Sequence, residues 1–354
     1  MHHFFRPYAH TTLECKVRIL PFGYCYSNDE IVWTKSKKSL ISHTSLRTHP
    51  LAPASALDSR LGRIVKAIKN AKKRLAFLLA SFFNCRKELA SIALLYRDVS
   101  CNYGHFIKET IAGYHQLKLA NIEPDFYILP CNTTFQKQMY ALLGIPEEKI
   151  IPTNPRKLIH AKELIIPTLI ADYEIIEYRK HLHYRSFVLP PFIYTMYDPI
   201  ISRLLTSAPK PQDQLPKKIF LARPQTSNRN IQNHTEVEKV FKDFGYTIIT
   251  PDTMSLSEQM RLFASVDAIA SMHGAGLDNT IFAKEGTKVF EIFSKYYHDG
   301  AEQIIALARQ CKYDYIVGET SDLSPHPQQE NVYINPNKLA QALTKHLNKP
   351  QRMQ

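Results

Sequence analysis

The chain has 354 residues, 44% hydrophobic and 22% charged, with a formal net charge of +13. That composition excludes a disordered or collagen-like chain, and no stretch reaches the roughly 18 consecutive apolar residues of a spanning helix. The positive excess favours anionic partners: nucleic acid, acidic lipid or phosphorylated substrates.

The length suggests two domains, at about 150 residues each. Residues 1–59 are rich in Ser, Thr, His and Pro and read as an irregular segment, with strand-like pieces at Val17–Pro21 and Ile31–Thr34. The start, Met1-His2-His3-Phe4-Phe5-Arg6, lacks the basic-then-apolar order of a secretory signal, so a cytoplasmic protein is expected. Arg60, Arg63, Lys66, Lys69, Lys72, Lys73 and Arg74 interleave with apolar residues at helical spacing, and the apolar run Leu75–Phe83 follows. A basic amphipathic helix over 60–83 fits either a solvated face packed on its domain or peripheral contact with an anionic inner membrane leaflet. The six cysteines form neither a CxxC pair nor a cluster with histidines, so free thiols and no metal site are expected.

From 60 to 207 helices and strands alternate. Strands are expected at Ser91–Tyr96, Phe126–Leu129, Lys149–Ile151 and Glu163–Ile166, with helices at Gly104–Leu119 and Thr133–Leu143. The Pro-containing stretch from Ala208 to Asp213 marks a domain boundary. From 208 to 354 the alternation is cleaner. Strands are expected at Lys218–Leu221, Thr247–Thr250, Ala268–Ser271, Val289–Phe293 and Tyr315–Val317. Helices fall near Glu236–Phe244, Leu256–Ser265, Leu277–Phe282 and Gly300–Cys311. Ser255 and Glu258 form a capping box at the second of these helices. The fold class is α/β, with the C-terminal part a doubly wound nucleotide-binding layout.

Three features carry chemistry. At Ser271-Met272-His273-Gly274-Ala275-Gly276-Leu277 an apolar strand ends in a small-residue turn that opens a helix. Glycine lets a ligand approach the backbone, and a helix start offers free N–H groups to a phosphate. Spacing alone leaves His273 open as a ligand-facing group or as a hydrogen-bonded brace of the turn. Arg223 follows the strand Ile219-Phe220-Leu221-Ala222, and Arg229 lies in the next loop. Such arginines stabilise a departing diphosphate, or are solvated loop residues. In Asn102-Tyr103-Gly104-His105-Phe106-Ile107-Lys108-Glu109, His105 and Glu109 share a helix face. Either residue suits a general base, and a satisfied structural pair is the other reading.

Together and in this order these pieces resemble glycosyltransferase family 61, which includes bacterial capsular and polysaccharide enzymes. The likeness runs through Ile219–Arg223, Asn228–Asn233, Glu258–Phe263, His273–Leu277 and Gly286–Phe293, and more weakly through Asn102–Glu109. The resemblance implies a GT-B-like fold, two Rossmann-like domains facing across a cleft, with the donor on the C-terminal side and the acceptor on the N-terminal side. It implies inverting, metal-independent transfer from a nucleotide sugar, with no cofactor, to a glycan or lipid-linked acceptor. On that basis Arg223, Arg229, His273, Gly274, Ala275, Gly276 and Leu277 are expected at the donor. Glu291 is expected at sugar or ribose hydroxyls, with Gln259 and Asn279 as polar neighbours. Glu109 or His105 would be the base. Where the family often has an acidic residue after the asparagine matched to Asn233, this chain has His234. Other readings are a GT-B-fold nucleotide-sugar epimerase or hydrolase, an inactive sugar-binding member, and a basic nucleic-acid-binding protein. Against the last, no nucleic-acid motif is present and no aromatics interleave with the basic run.

Overall fold

The computed structural model describes residues 17–27, 31–33, 39–41, 75, 77–79, 85–97, 100–167, 172–179, 182–188, 190–207, 215–223, 229–320 and 329–348. The basic run 60–74 lies outside them, so neither reading of the basic amphipathic helix is decided. Among the described residues no helix is long and apolar enough to cross a membrane.

The chain forms two compact units, one of Leu13–Asp172 and one containing Tyr173–Gln354. The first holds β1 (Val17–Pro21), β2 (Tyr24–Tyr26), β3 (Ile31–Trp33), β4 (Ser39–Ile41), β5 (Cys85–Leu94), β6 (Phe126–Leu129), β7 (Ile150–Pro152) and β8 (Leu158–Pro167). They make one sheet in the order β4-β3-β2-β8-β5-β6-β7, with β1 also on β8. Strands β8, β5, β6 and β7 are mutually parallel, and β1 to β4 add antiparallel pairs. Residues 17–41 are therefore not all irregular. Both β1 and β2 pair with β8, and the chain bends between them at Phe22, where φ is 51°. The strand-like pieces read at Val17–Pro21 and Ile31–Thr34 form β1 and β3, while the three-residue β2 and β4 are too short to announce themselves in sequence. The core gathers Ile92, Leu94, Ile128, Ile151, Ile159 and Leu164, while Phe77 stacks on Trp33 at 4.1 Å.

Three helical pieces follow β5 and β6. Segment α1 (Tyr103–His105) runs into a π-helical turn at Phe106–Thr110 and on into α2 (Ile111–Leu119). Next comes α3 (Thr134–Leu143), whose capping box pairs Thr133 with Gln136.

The second unit begins earlier than the expected boundary at 208. Strand β10 (Leu182–Val188) lies between β9 (Asp172–Arg179) and β15 (Tyr297–Asp299). After it come α4 (Phe192–Thr195) and α5 (Asp198–Thr206). Arg309 Nη1 donates to the Tyr194 carbonyl at 2.6 Å and to Asp198 Oδ1 at 2.8 Å, and Tyr197 meets Phe282 edge-on. These ties group 190–207 with the C-terminal residues rather than with the residues before 172.

The main sheet of this unit comprises β11 (Lys218–Leu221), β12 (Thr247–Ile249), β13 (Ala268–Met272), β14 (Lys288–Phe293) and β16 (Lys312–Val317). All its pairs are parallel, in the order β12-β11-β13-β14-β16. The connecting helices are α6 (His234–Asp243), α7 (Leu256–Ser265), α8 (Ala301–Ala308) and α9 (Pro336–Leu347). Ser255 Oγ accepts from the Glu258 N–H, and Glu258 accepts from the Ser255 N–H, so the expected capping box forms. Alternation along β13 and β14 sends Ala268, Ala270, Met272, Phe290 and Ile292 into one core with Val237, Phe241, Leu339 and Leu343. Glu291 alternates with Phe290 and Ile292, so it points to the other face. At the amino ends of the strands, Lys218 donates to the Phe244 carbonyl and Lys288 to that of Leu347, satisfying the ends of α6 and α9.

Candidate active site

In the second unit the strand order reverses between β11 and β13. Ligands of open α/β sheets bind at such a switch point, outside the carboxyl ends of the strands. Arg223 leaves the end of β11 there and His273 the end of β13. Gly274 has φ of 148°, and a side chain on it would place a Cβ 3.1 Å from Arg223 Nη1 and 3.4 Å from Arg229 Nη1. Both guanidinium groups thus lie against one glycine, whose positive φ a side chain would strain. Arg223 Nη1 donates to the His273 carbonyl at 3.4 Å. Arg229 also has positive φ, 54°, and its buried Nε has no hydrogen-bond partner among the described residues. Burial and the charge of Arg229 lower the Arg223 pKa, against the opposing charge of Asp252. Two cations at close quarters, one with a buried unused donor, are arranged for an anion. Beside them is a cavity of about 130 Å³, lined also by Asn230, His234, Glu238 and Met272.

The helix expected after the glycines is a six-residue 3-10 turn, Leu277–Phe282. The Leu277 N–H is already bonded to the Gly274 carbonyl at 2.9 Å, so it is not offered to a ligand. Ala275 and Gly276 are half-buried, and Leu277 is fully buried. Gln259 and Asn279 brace this turn. Gln259 Nε2 donates to the carbonyls of Pro251 and Met254, Asn279 Nδ2 reaches Gln259 Oε1 at 3.3 Å, and Asn279 also holds the Gly276 carbonyl.

His273 is buried, and its Nδ1 lies 2.6 Å from Glu291 Oε1 and 3.5 Å from Glu302 Oε2. The register places Glu291 opposite Ser271, two residues before His273, and the Tyr313 hydroxyl of β16 donates to its other oxygen. Glu291 is 0% exposed with both oxygens engaged, so it holds the histidine rather than reaching a sugar. Burial opposes charge on His273. Glu302, the hydrogen bond to Glu291, and the charges of Glu291 and Asp299 outweigh it and push the pKa up to about 9. Burial also pushes Glu291 up, so the pair keeps its proton well above neutral pH. Neighbouring His298 is lowered to about 4, by burial and by the charge of His273, against its bond to the Ser294 carbonyl. His273, Glu291 and Glu302 bring their ligand atoms within 4.8 Å of one another, a geometry that could hold a metal. Without a metal the three form an ion network, and a metal would first have to displace the proton of His273.

Sequence reasoning missed Glu302 and Tyr313. Glu302 stands in the first turn of α8, where an acid is ordinarily explained by the helix dipole. Only its burial, 4% exposed, reveals a further contact.

In the first unit, His105 and Glu109 also meet, with Nδ1 and Oε1 2.5 Å apart. Asn102 Oδ1 caps this helical start by accepting from the N–H groups of Gly104 and His105. Glu109 lies in the π-helical turn, a distortion often found at functional sites. Ser100 Oγ bonds Thr110 Oγ1 at 2.9 Å, and Gln136 Nε2 donates to the Ser100 carbonyl, tying the turn after β5 to the π segment and α3. The His105 side chain is 31% exposed and that of Glu109 only 1%. An exposed imidazole aligned by a buried carboxylate can take a proton from a hydroxyl. This pair, too, follows the carboxyl end of a parallel strand in its own sheet.

No curated protein matches the chain. The family model described as Glycosyltransferase 61 matches residues 103–290, more than half of the chain and inclusive of His105, Glu109, Arg223, Arg229 and His273–Gly276. The chain belongs to glycosyltransferase family 61.

Proposed function

We propose that this glycosyltransferase moves a sugar from a nucleotide-sugar donor to a hydroxyl of a glycan or lipid-linked acceptor, with inversion and without a metal. The observation that carries this reading is the convergence of Arg223 and Arg229 on Gly274 at the switch point of a parallel sheet. The donor diphosphate would lie against both guanidinium groups. His273 would contribute through its carbonyl, which accepts from Arg223. His105, aligned by Glu109, would take the proton of the acceptor hydroxyl. The acceptor oxygen then bonds to the anomeric carbon, the carbon–oxygen bond to the diphosphate breaks, and its electron pair leaves with the nucleoside diphosphate. The arginines stabilise that charge in place of a metal. The GT-B arrangement of the two units, a role in bacterial polysaccharide synthesis, and a cytoplasmic site at the inner membrane belong to the same proposal.

The test is a thermal-shift panel of nucleotide sugars, with and without EDTA. One donor should raise the melting temperature, as a ligand of the native state must, and EDTA should not abolish the shift. A shift that vanishes with EDTA overturns metal independence. Arg223→Ala should weaken the bound donor about 10- to 100-fold, the worth of a charge-assisted hydrogen bond, with the fold retained. Wild-type affinity in a folded Arg223→Ala variant removes the donor site as described.

A further inference from the structure

Donor binding as proposed uses only the main chain of His273, yet its side chain sits in a buried set of ionisable groups. From β14 comes Glu291, hydrogen-bonded to Nδ1 at 2.6 Å. From α8 comes Glu302, whose Oε2 is 3.5 Å from the same nitrogen. Strand β15 supplies Tyr297, edge-on to the ring at 5.3 Å, together with Asp299 and His298, whose charges act on His273 or respond to it. From β16, Tyr313 holds Glu291 in place. Phe293 stacks on the ring at 5.3 Å. On the main-chain side of the same residue, the carbonyl accepts from Arg223.

One carboxylate is enough to orient an imidazole ring. A second, reaching the same nitrogen from a different element, adds an ion contact that fixes the ring between sheet and helix. His273 directly precedes Gly274, the glycine both arginines crowd. The ring and the carbonyl that accepts from Arg223 belong to one residue, so both contacts depend on how His273 is held.

We propose that Glu302 is a positioning residue of the donor site, holding the His273 ring against Glu291 so that the His273 carbonyl keeps Arg223 over Gly274. The assignment rests on the donor-site reading above. Glu302 lies beyond the residues that the family model matches. The elevated proton affinity of His273, with Glu302 a main cause, agrees with this arrangement.

The experiment measures the affinity of the intact protein for ADP, CDP, GDP, UDP and dTDP, and follows the tightest from pH 7 to 10 in wild type, Glu302→Gln, Glu302→Asp and Arg223→Ala. Comparing variants at each pH cancels the titration of the nucleotide. Wild type should hold its affinity until His273 loses its proton near pH 9. In Glu302→Gln the fall should come earlier, with affinity about 3-fold below wild type at pH 8.5 and approaching about 10-fold by pH 10, the effect of roughly one unit of pKa. The change should appear in kcat/KM for the donor, since Arg223 both holds the diphosphate and stabilises its charge as it leaves. Glu302→Asp keeps the charge and should lie between the two. Superimposable pH profiles for wild type and Glu302→Gln overturn the proposal. If Glu302→Gln does not fold, Glu302→Asp decides: an earlier fall supports the role, and a wild-type profile overturns it. Arg223→Ala separates the two readings. If it binds like wild type, the donor site itself is wrong. If it loses binding while the Glu302 variants follow wild type, only the positioning role fails.

Discussion

Among the described residues, His105–Glu109 and His273–Glu291 have nearly the same bond, 2.5 Å and 2.6 Å, in very different surroundings. The first is local, four residues apart within one helical segment, and its imidazole is 31% exposed. The second joins the ends of neighbouring strands, and its imidazole is 7% exposed with a second carboxylate beside it. A base must release its proton again within each turnover, so it needs access to substrate and only one aligning carboxylate. An imidazole enclosed between two carboxylates keeps its proton and serves as a fixed charge. Burial and the number of acids, rather than the pairing itself, divide one role from the other.

The largest effect that would break this contrast lies at the exposed pair. His105→Ala should lower kcat by about 10²- to 10⁴-fold, the usual worth of a general base. Donor affinity and melting temperature should stay near wild type, because a half-exposed histidine contributes little packing. Retention of more than a tenth of the wild-type rate would take the base assignment away from His105.

At the buried pair the loss should fall on stability. Glu291→Ala leaves His273 and the Tyr313 hydroxyl without their shared partner. Breaking a buried ion pair on one side costs about 3–5 kcal/mol. For a unit of this size that lowers the melting temperature by on the order of 10 °C. Calorimetry on the purified variant checks it, and an unchanged melting temperature would show that the network is not holding the strand ends together.

The contrast also bears on what could be read in advance. The strands β11, β13 and β14 were legible because their apolar runs end in turn residues, and β16 only in its apolar end, Tyr315–Val317. Arg223, Arg229 and Gly274 followed, since a small-residue turn after a buried strand is a local signal. The pairing of His105 with Glu109 was likewise local, needing only helical spacing. Strands β1 to β4 were not legible as a sheet, because β8, more than a hundred residues away, pairs with β1 and β2, and β3 and β4 build on β2. Gln259 and Asn279 were expected at a ligand and instead brace the Gly276 turn, because sequence does not state which way a polar side chain points. Glu302 was hidden by having a sufficient local explanation in the helix dipole.

The smallest effect sharpens the comparison within the buried network itself, where His273 and its neighbour His298 are shifted in opposite directions. The His273 pKa is raised to about 9. A histidine that binds its proton more tightly when folded contributes stability fully present below the unfolded value near 6.5, and lost as pH rises through 9. His298 is lowered to about 4, so its contribution is present above about 6.5 and lost as pH falls toward 4. Each histidine is worth at most about 3 kcal/mol on its own side. Melting temperature should therefore pass through a maximum near pH 6.5, declining toward both 4.5 and 9. His273→Gln should flatten the alkaline limb alone, and His298→Gln the acid limb alone. An alkaline decline that persists undiminished in His273→Gln would mean that the proton held between the two carboxylates is not the one that stabilises the fold.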